Sequence, residues 1–176
     1  DAPVNGQFQT STGSPAWNGW THWDITQPTV THWSVDTYQA DNLGAVPSPT
    51  NHAAWCGDIG LVACANGTDI AGGYGNSWND ILEWRGTVGN PAVGVNVNFS
   101  AYANIDSEPG YDYTNIVYYD AAGRFVAASY DDYQPNLFIN VPFSLTSADY
   151  QGANSDEVVI QVNFASDGAW SDEDCL

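Results

Sequence analysis

VGVNVNFSA at residues 93–101 and VVIQVNF at residues 158–164 are the two stretches that decide the fold. In both, hydrophobic side chains occupy every second position, and most positions between them hold Gly, Asn, Ser or Gln. Alternation of period two places one face of a β-strand in a core and the other in water. The side chains predicted to point inward are Val93, Val95, Val97, Phe99 and Ala101 in the first stretch and Val158, Ile160, Val162 and Phe164 in the second.

Shorter stretches with strand-like patterns accompany these two. They are DILEW at 80–84, YTNIVYY at 113–119, RFVAASY at 124–130 and NLFINV at 136–141. DAAG at 120–123 is a turn signal and predicts a hairpin. No window has a helical period, and 17 Gly and nine Pro interrupt the chain. Turn signals at intervals of about 8–12 residues favour an all-β, antiparallel sandwich or barrel.

The length favours one domain, since 176 residues can bury a sizeable core. Residues 7–54 are rich in Ser, Thr, Pro and Trp, and we interpret them as edge strands and long loops. We therefore treat 1–176 as a single β-sandwich domain whose N-terminal part, 1–54, is loop-rich. The sequence starts without Met and ends in the loop-like SDGAWSDEDCL, so we expect the domain to be part of a longer chain.

The charge balance limits the partners. The sequence has 21 acidic residues against two basic ones, Arg85 and Arg124, and a formal net charge of −19. Such a charge repels phosphate groups, so neither nucleic acid nor an anionic membrane is a predicted partner. No apolar run approaches the about 20 residues of a membrane span, so no membrane insertion is predicted. Solubility or a salty habitat, and divalent-cation binding, are the alternative reasons for the acidity.

Composition and cysteine usage both favour a secreted, extracellular protein. Asn, Ser, Thr, Gln and Gly carry most of the polarity, as is common in extracellular β-proteins. Cys56 and Cys64 are eight residues apart, a spacing that predicts a local disulfide. Cys175 is left over, and we expect its partner beyond residue 176 or in another molecule. A zinc site is the weaker alternative, because the Cys and His residues show no paired ligand spacing.

Two acidic segments follow predicted strands. NIDSEPGYDY spans 104–113, and ASDGAWSDEDCL spans 165–176. If their strands are neighbours in one sheet, the two segments converge, and crowded carboxylates without Lys or Arg attract a cation. Calcium takes six to eight oxygen ligands, which loops of this kind can supply. The predicted Ca2+ ligands are Asp106, Glu108, Asp112, Asp167 and Asp172, with Glu173 and Asp174 behind them; the alternative is a solvated acidic rim.

The segment GGYGNSWNDILEW at 72–84 is aromatic and polar. Aromatic faces flanked by Asn and Asp can hold sugar rings, because C–H faces stack on the rings and amides bind the hydroxyls. The candidate ligand-binding residues are Tyr74, Trp78 and Trp84. A second aromatic surface could be formed by Trp17, Trp20, Trp23 and Trp33. The alternative for all of them is packing in the core.

Catalytic patterns have little support. The sequence has no Lys base, no GxSxG elbow, no HExxH and no phosphate-binding Gly loop. A set of His22, Asp24 and Ser34 could be assembled, but nothing in the sequence fixes its geometry. With so many acids, some carboxylate pair always suits glycoside hydrolysis, so that signal is not specific. We predict no catalytic residue.

Several of these segments together resemble a known family. HAAWCGD at 52–58, GGYGNSWNDILEW, DSEPGYDY at 106–113 and FASDGAWSDEDCL at 164–176 resemble jelly-roll accessory domains of secreted bacterial proteins. The similar domains are the β-sandwich attached to immune-inhibitor-A-type metallopeptidases and MAM-like choice-of-anchor modules. The resemblance covers about 55–176 and implies a two-sheet jelly roll, no active site and often a structural Ca2+ near the acidic loops. The peptidase zinc motif HExxH is absent, so protease activity does not carry over.

These observations together predict a function. We expect a non-catalytic extracellular accessory module of a secreted or surface protein, stabilised by Ca2+ and serving adhesion or substrate targeting. Its partners would be a carbohydrate or cell-surface component and the other domains of the same chain. Two alternatives stay open: a carbohydrate-binding module that uses the aromatic segment, and a glycan-cleaving enzyme.

Overall fold

The structure, a computed structural model, describes residues 8, 17–26, 32–36, 53–63, 70–90, 92–120, 123–150 and 157–169. Eleven β-strands lie in this part of the chain. They are β1 Trp20–Asp24, β2 Trp33–Asp36, β3 Ala53–Cys56, β4 Asp58–Ala63, β5 Ile70–Gly73, β6 Asn79–Thr87, β7 Val95–Ile105, β8 Tyr113–Asp120, β9 Gly123–Tyr130, β10 Gln134–Leu145 and β11 Glu157–Ala165. A short 3-10 turn, Ser147–Asp149, follows β10. Among these residues no helix has the length and apolar character that crossing a membrane requires.

Five strands form one antiparallel sheet in the order β1-β6-β11-β8-β9. β11 is its central strand and pairs with β6 on one side and β8 on the other. The hairpin predicted at 120–123 is confirmed, because Asp120 pairs with Gly123 where β9 follows β8. Gly123 has a φ of +134°, a backbone conformation that residues with a Cβ rarely adopt. β1 lies at the edge of the sheet, as expected for a strand of the N-terminal part.

β7 and β10 form a second antiparallel sheet, paired from Val95↔Leu145 at one end to Ile105↔Gln134 at the other. The inward side chains of β7, among them Val97 and Phe99, pack against a buried cluster that contains Leu145 and Ile160. A second cluster joins Ile116 of β8 to Ile139 and Val141 of β10. The two sheets therefore share core side chains, each worth about 1.5–3 kcal/mol when fully buried.

The predicted all-β, antiparallel class is confirmed, and the contact between the two sheets is consistent with a sandwich. β2 with β3 and β4 with β5 form two further two-stranded sheets. The jelly-roll strand order stays a prediction, as does the single domain over 1–176.

Two of the predicted strand patterns differ from the structure. β7 begins at Val95, because the N–H of Val93 donates to the carbonyl of Asn90 in a turn, and Val93 is 56% exposed. β11 is buried on both faces instead of one, since Gln161 and Asn163 are also buried. Their amide NH2 groups donate to Glu83 and Asn79 of β6, so both of these buried groups have an acceptor on the neighbouring strand.

Candidate metal centre

Strand pairing brings the two acidic segments to one end of the five-stranded sheet. Tyr113, the first residue of β8, pairs with Ala165, the last residue of β11. The residues just before β8 and just after β11 therefore lie side by side. The sequence predicted this convergence only on condition that the two strands were neighbours, and they are.

Three carboxylates meet there, and we call Glu108, Asp112 and Asp167 the loop cluster. One oxygen of each lies within 4.8 Å of the others. Asp112 is 0% exposed, and its Oδ1 accepts the backbone N–H of Asp167 at 2.8 Å. Within the described part of the chain, Asp112 Oδ2 and Glu108 Oε2 are buried and have no hydrogen-bond partner. Buried carboxylate oxygens without donors are costly unless a cation binds them.

The loop before β8 is held by hydrogen bonds from several directions. The N–H of Glu108 donates to Tyr74 Oη at 3.0 Å, and its carbonyl accepts the N–H of Asp112 at 3.1 Å. Gly110 has a φ of +81°, which favours glycine, and its N–H donates to Asp131 Oδ2 at 2.8 Å. These contacts fix the backbone of the loop that carries Glu108 and Asp112.

The electrostatics of the loop cluster are unbalanced. Burial, and then repulsion by Asp167 and Asp112, raises the pKa of Glu108 above its ordinary value. The chain has only two basic residues besides His, and both bind elsewhere. Arg85 pairs with Glu83 at 2.6 Å and with Glu157 at 3.2 Å. The other, Arg124, donates to Asn163 Oδ1 at 2.8 Å.

The loop cluster fits a hard divalent cation. Its ligand atoms are all carboxylate oxygens, the type that Ca2+ and Mg2+ prefer over nitrogen or sulfur. A pocket of about 480 Å3, lined by Glu108, Tyr111, Asp167 and Ala169, opens beside it. The pocket leaves room for water or ligand oxygens to complete the six to eight positions that Ca2+ takes.

Of the seven predicted calcium ligands, the structure brings three together. Asp106 is exposed and is not part of the loop cluster. Asp172, Glu173 and Asp174 lie outside the described residues, so their roles stay predictions.

A second group of ionisable side chains, which we call the histidine cluster, joins Asp24, His32 and Asp80. His32 Nδ1 lies 2.7 Å from Asp80 Oδ2 and 3.6 Å from Asp24 Oδ2, and both carboxylates are 0% exposed. The backbone N–H of His32 donates to Asp80 Oδ1 at 2.9 Å. Thr26 donates its N–H and its hydroxyl to Asp24 Oδ1, each at 2.6 Å.

The ring of Trp78 covers the imidazole of the histidine cluster. The ring centroids of Trp78 and His32 lie 3.5 Å apart, with an interplanar angle of 4°. Burial raises the pKa of Asp80, and the hydrogen bonds from His32 oppose that shift. Sequence reasoning missed this cluster, because its three members come from separate segments with no common spacing. The only signal was the pair of HW dipeptides at 22–23 and 32–33, which was too short to interpret.

The predicted aromatic platform is not an exposed surface. Trp78 is 5% exposed and stacked on His32. Trp84 packs against the core cluster, because β6 lies inside the sheet next to β11. Tyr74 contacts Phe164 edge to face and supports the acidic loop through its hydroxyl. These three side chains pack against or position other groups of the chain, and ligand binding by them stays a prediction. The second proposed surface, Trp17, Trp20, Trp23 and Trp33, is partly buried.

The predicted Cys56–Cys64 disulfide is not observed. Among the described residues Cys56 has a free thiol, whose pKa is raised by burial and by the charges of Asp80 and Asp24. Residues 58–63 form the extended strand β4 rather than the small loop that the spacing suggested. Cys64 and Cys175 lie outside the described residues.

Within the described part of the chain, the buried Oγ of Ser34 has no hydrogen-bond partner, so His22, Asp24 and Ser34 do not form a hydrogen-bonded triad. Asp24 pairs with His32 and Thr26, and the ring of His22 packs on Trp17 with centroids 4.1 Å apart.

A scan against protein-family models finds no match for the chain, and a search of curated proteins finds no relative. The resemblance to jelly-roll accessory domains therefore stays a prediction.

Proposed function

We propose that the protein is a non-catalytic, extracellular accessory module that binds Ca2+ at the loop cluster and serves adhesion or substrate targeting. The observation that carries this proposal is the buried Oδ2 of Asp112, which has no donor among the described residues. The carboxylate of Asp112 lies in a group with two others. A bound cation supplies the missing positive charge.

The ligand set favours calcium over the alternatives. Zinc prefers His and Cys ligands, and the loop cluster offers oxygen only. Magnesium demands a near-ideal octahedron and keeps most of its waters, whereas Ca2+ accepts irregular sets of carboxylates at about 2.3–2.6 Å. Three converging carboxylates on two loops are an irregular set of this kind.

The position of the loop cluster supports a stabilising role for the ion. The ion would connect the loop before β8 to the segment after β11, whose carboxylates otherwise repel each other. Binding to the folded state alone stabilises it by mass action. In an accessory module, the bound ion would hold one end of the five-stranded sheet in place. Other, exposed sheet faces would then bind the target.

Thermal unfolding with and without Ca2+ tests the proposal. At a thousandfold excess of Ca2+ over the dissociation constant we expect about 4 kcal/mol of added stability, or a midpoint about 8–16 °C higher for a chain of this size. Mg2+ and NaCl at matched ionic strength control for general screening of the negative charge. An equal unfolding midpoint in Ca2+, in Mg2+ and in chelator would contradict the proposed calcium site.

A further inference from the structure

The outward face of the β7–β10 sheet carries a continuous set of exposed, uncharged side chains. Burial alternates along both strands, so every second residue points away from the core. The members of this outer face are Asn96, Asn98, Ser100, Tyr102 and Asn104 on β7 and Phe138, Asn140, Pro142 and Ser144 on β10. Four of these positions on each strand face each other directly in the register of the sheet.

Two aromatic rings stand together on the outer face. Tyr102 pairs directly with Phe138 across the strands, and their ring centroids lie 5.0 Å apart at an interplanar angle of 44°. Tyr102 is 47% exposed and Phe138 is 54% exposed. About half of each side chain is therefore open to solvent, and each ring is large enough to cover one sugar ring.

A ladder of hydroxyl and amide groups continues from the rings along the same face. Ser100 Oγ donates to Asn140 Oδ1 at 3.0 Å, and Asn98 Nδ2 donates to Ser100 Oγ at 3.1 Å. Further along, Ser144 Oγ donates to Asn96 Oδ1 at 2.6 Å. An Asn side chain has two donors and an acceptor, so these bonds orient the amides and leave capacity for a ligand.

The absence of charge on the outer face decides the class of ligand. None of its nine members is ionisable near neutral pH, although the chain as a whole has a net charge of −19. A cationic partner would be attracted to the acidic regions instead, and an anionic one would be repelled by the whole molecule. A neutral ligand with apolar faces and many hydroxyl groups matches both the rings and the ladder.

We propose that the outer face of β7–β10 binds a neutral polysaccharide chain. One sugar unit stacks on Tyr102 and the next on Phe138, and further units place their hydroxyl groups against the Asn and Ser ladder. This assignment deepens the targeting role proposed above and rests on it, but it does not require the calcium ion. It also places carbohydrate binding on a surface distinct from the buried segment at 72–84.

The experiment measures binding of the purified protein to insoluble cellulose, chitin, xylan and mannan and to a glycan array. We expect binding to at least one neutral glycan, weakened about tenfold, or about 1.4 kcal/mol, by Tyr102→Leu and by Phe138→Leu. Leucine keeps an apolar cross-strand contact and removes only the flat ring. The cross-strand pair also contributes to the sheet, so the unfolding midpoint of each variant is measured alongside.

Tyr133→Leu is the matched control, because Tyr133 is 55% exposed and lies outside the outer face. It should bind like the unmodified protein. If no neutral glycan binds, or if both Leu variants bind normally, the proposal for this face is wrong. A midpoint that still rises with Ca2+ in that case leaves the calcium site standing. If the protein binds a glycan through the two rings but its midpoint does not respond to Ca2+, only the proposed calcium site is wrong.

Discussion

The loop cluster and the histidine cluster lie at the same end of the five-stranded sheet, yet they compensate their carboxylates differently. In the histidine cluster, two fully buried carboxylates receive hydrogen bonds from an imidazole, a backbone N–H and a threonine. In the loop cluster, the described residues give the buried Asp112 one backbone N–H and leave its second oxygen without a donor. Asp24 Oδ2 lies 3.6 Å from the imidazole of His32, whereas the described residues place no basic side chain beside the loop cluster. The comparison therefore separates a cluster that contains its own basic side chain from one for which we propose a bound cation.

The largest effect is expected from His32→Ala. The substitution leaves Asp24 and Asp80 buried without their imidazole partner, which should cost about 3–5 kcal/mol of unfolding free energy. Because burial already raises the pKa of Asp80, its ionisation costs stability as the pH rises through that pKa, so the loss should grow from acidic to neutral pH. Urea unfolding at several pH values measures it. His22→Ala should lose clearly less unfolding free energy. An equal loss in the two variants would contradict the stabilising role of the histidine cluster.

Asp112→Asn tests whether the response to Ca2+ depends on the loop cluster. Asparagine can still accept the N–H of Asp167, but it cannot neutralise a cation, so the calcium-linked stabilisation of about 4 kcal/mol at a thousandfold excess should vanish. In chelator the variant should be at least as stable as the unmodified protein, because one repelling charge is gone. Thermal unfolding of both proteins in Ca2+ and in chelator provides the four values. Asp106→Asn is the control and should keep its Ca2+ response.

Tyr74→Phe should have a smaller effect on the same site. The hydroxyl of Tyr74 accepts the N–H of Glu108, and loss of such supporting contacts typically lowers metal affinity about 10–100-fold. We expect a change near the lower limit, because the hydroxyl binds the backbone N–H of Glu108 rather than its carboxylate. Calorimetric titration with Ca2+ gives the dissociation constant. An unchanged constant would mean that the acidic loop keeps its shape without this hydrogen bond.

The smallest effect is expected at Asp149, a carboxylate that has its own donors and needs no ion. Its Oδ2 accepts the N–H of Thr146 at 2.7 Å and the hydroxyl at 2.8 Å, and these bonds lower its pKa below the ordinary 3.8. The stability it contributes is present above pH 3.8 and is lost as the pH falls through the lowered pKa. Asp149→Asn should therefore be slightly less stable at pH 7 and equal in strong acid. A difference that persists in acid would contradict this assignment.

Local patterns predicted most of what is local in this fold. Alternation identified β7, and turn residues identified the hairpin between β8 and β9. Placement of acidic segments after strands predicted the loop cluster, because it required only that β8 and β11 be neighbours. These features depend on residues close together in sequence or on one pairing.

Features that combine distant segments could not be predicted. Asp24 and Asp80 are direct partners in the pairing of β1 with β6. His32, from a different segment of the chain, contacts both carboxylates. Gln161 and Asn163 look like solvent-facing positions, but both are buried and their amides bind side chains of the neighbouring strand β6. Trp78 was a reasonable candidate for stacking, but its partner is an imidazole within the same chain.

The segment that follows β11 is hydrogen-bonded to the residue that covers His32. Trp78 donates its N–H to Ser166 Oγ at 2.9 Å and accepts the N–H of Ser166 through its carbonyl at 3.0 Å. The neighbouring Ser77 donates its N–H to the carbonyl of Asp167. Trp78 is thus an intrinsic fluorescent reporter for the segment that carries Asp167. A change in emission during a Ca2+ titration, absent in Trp78→Phe, would let ion binding be followed in solution without any label.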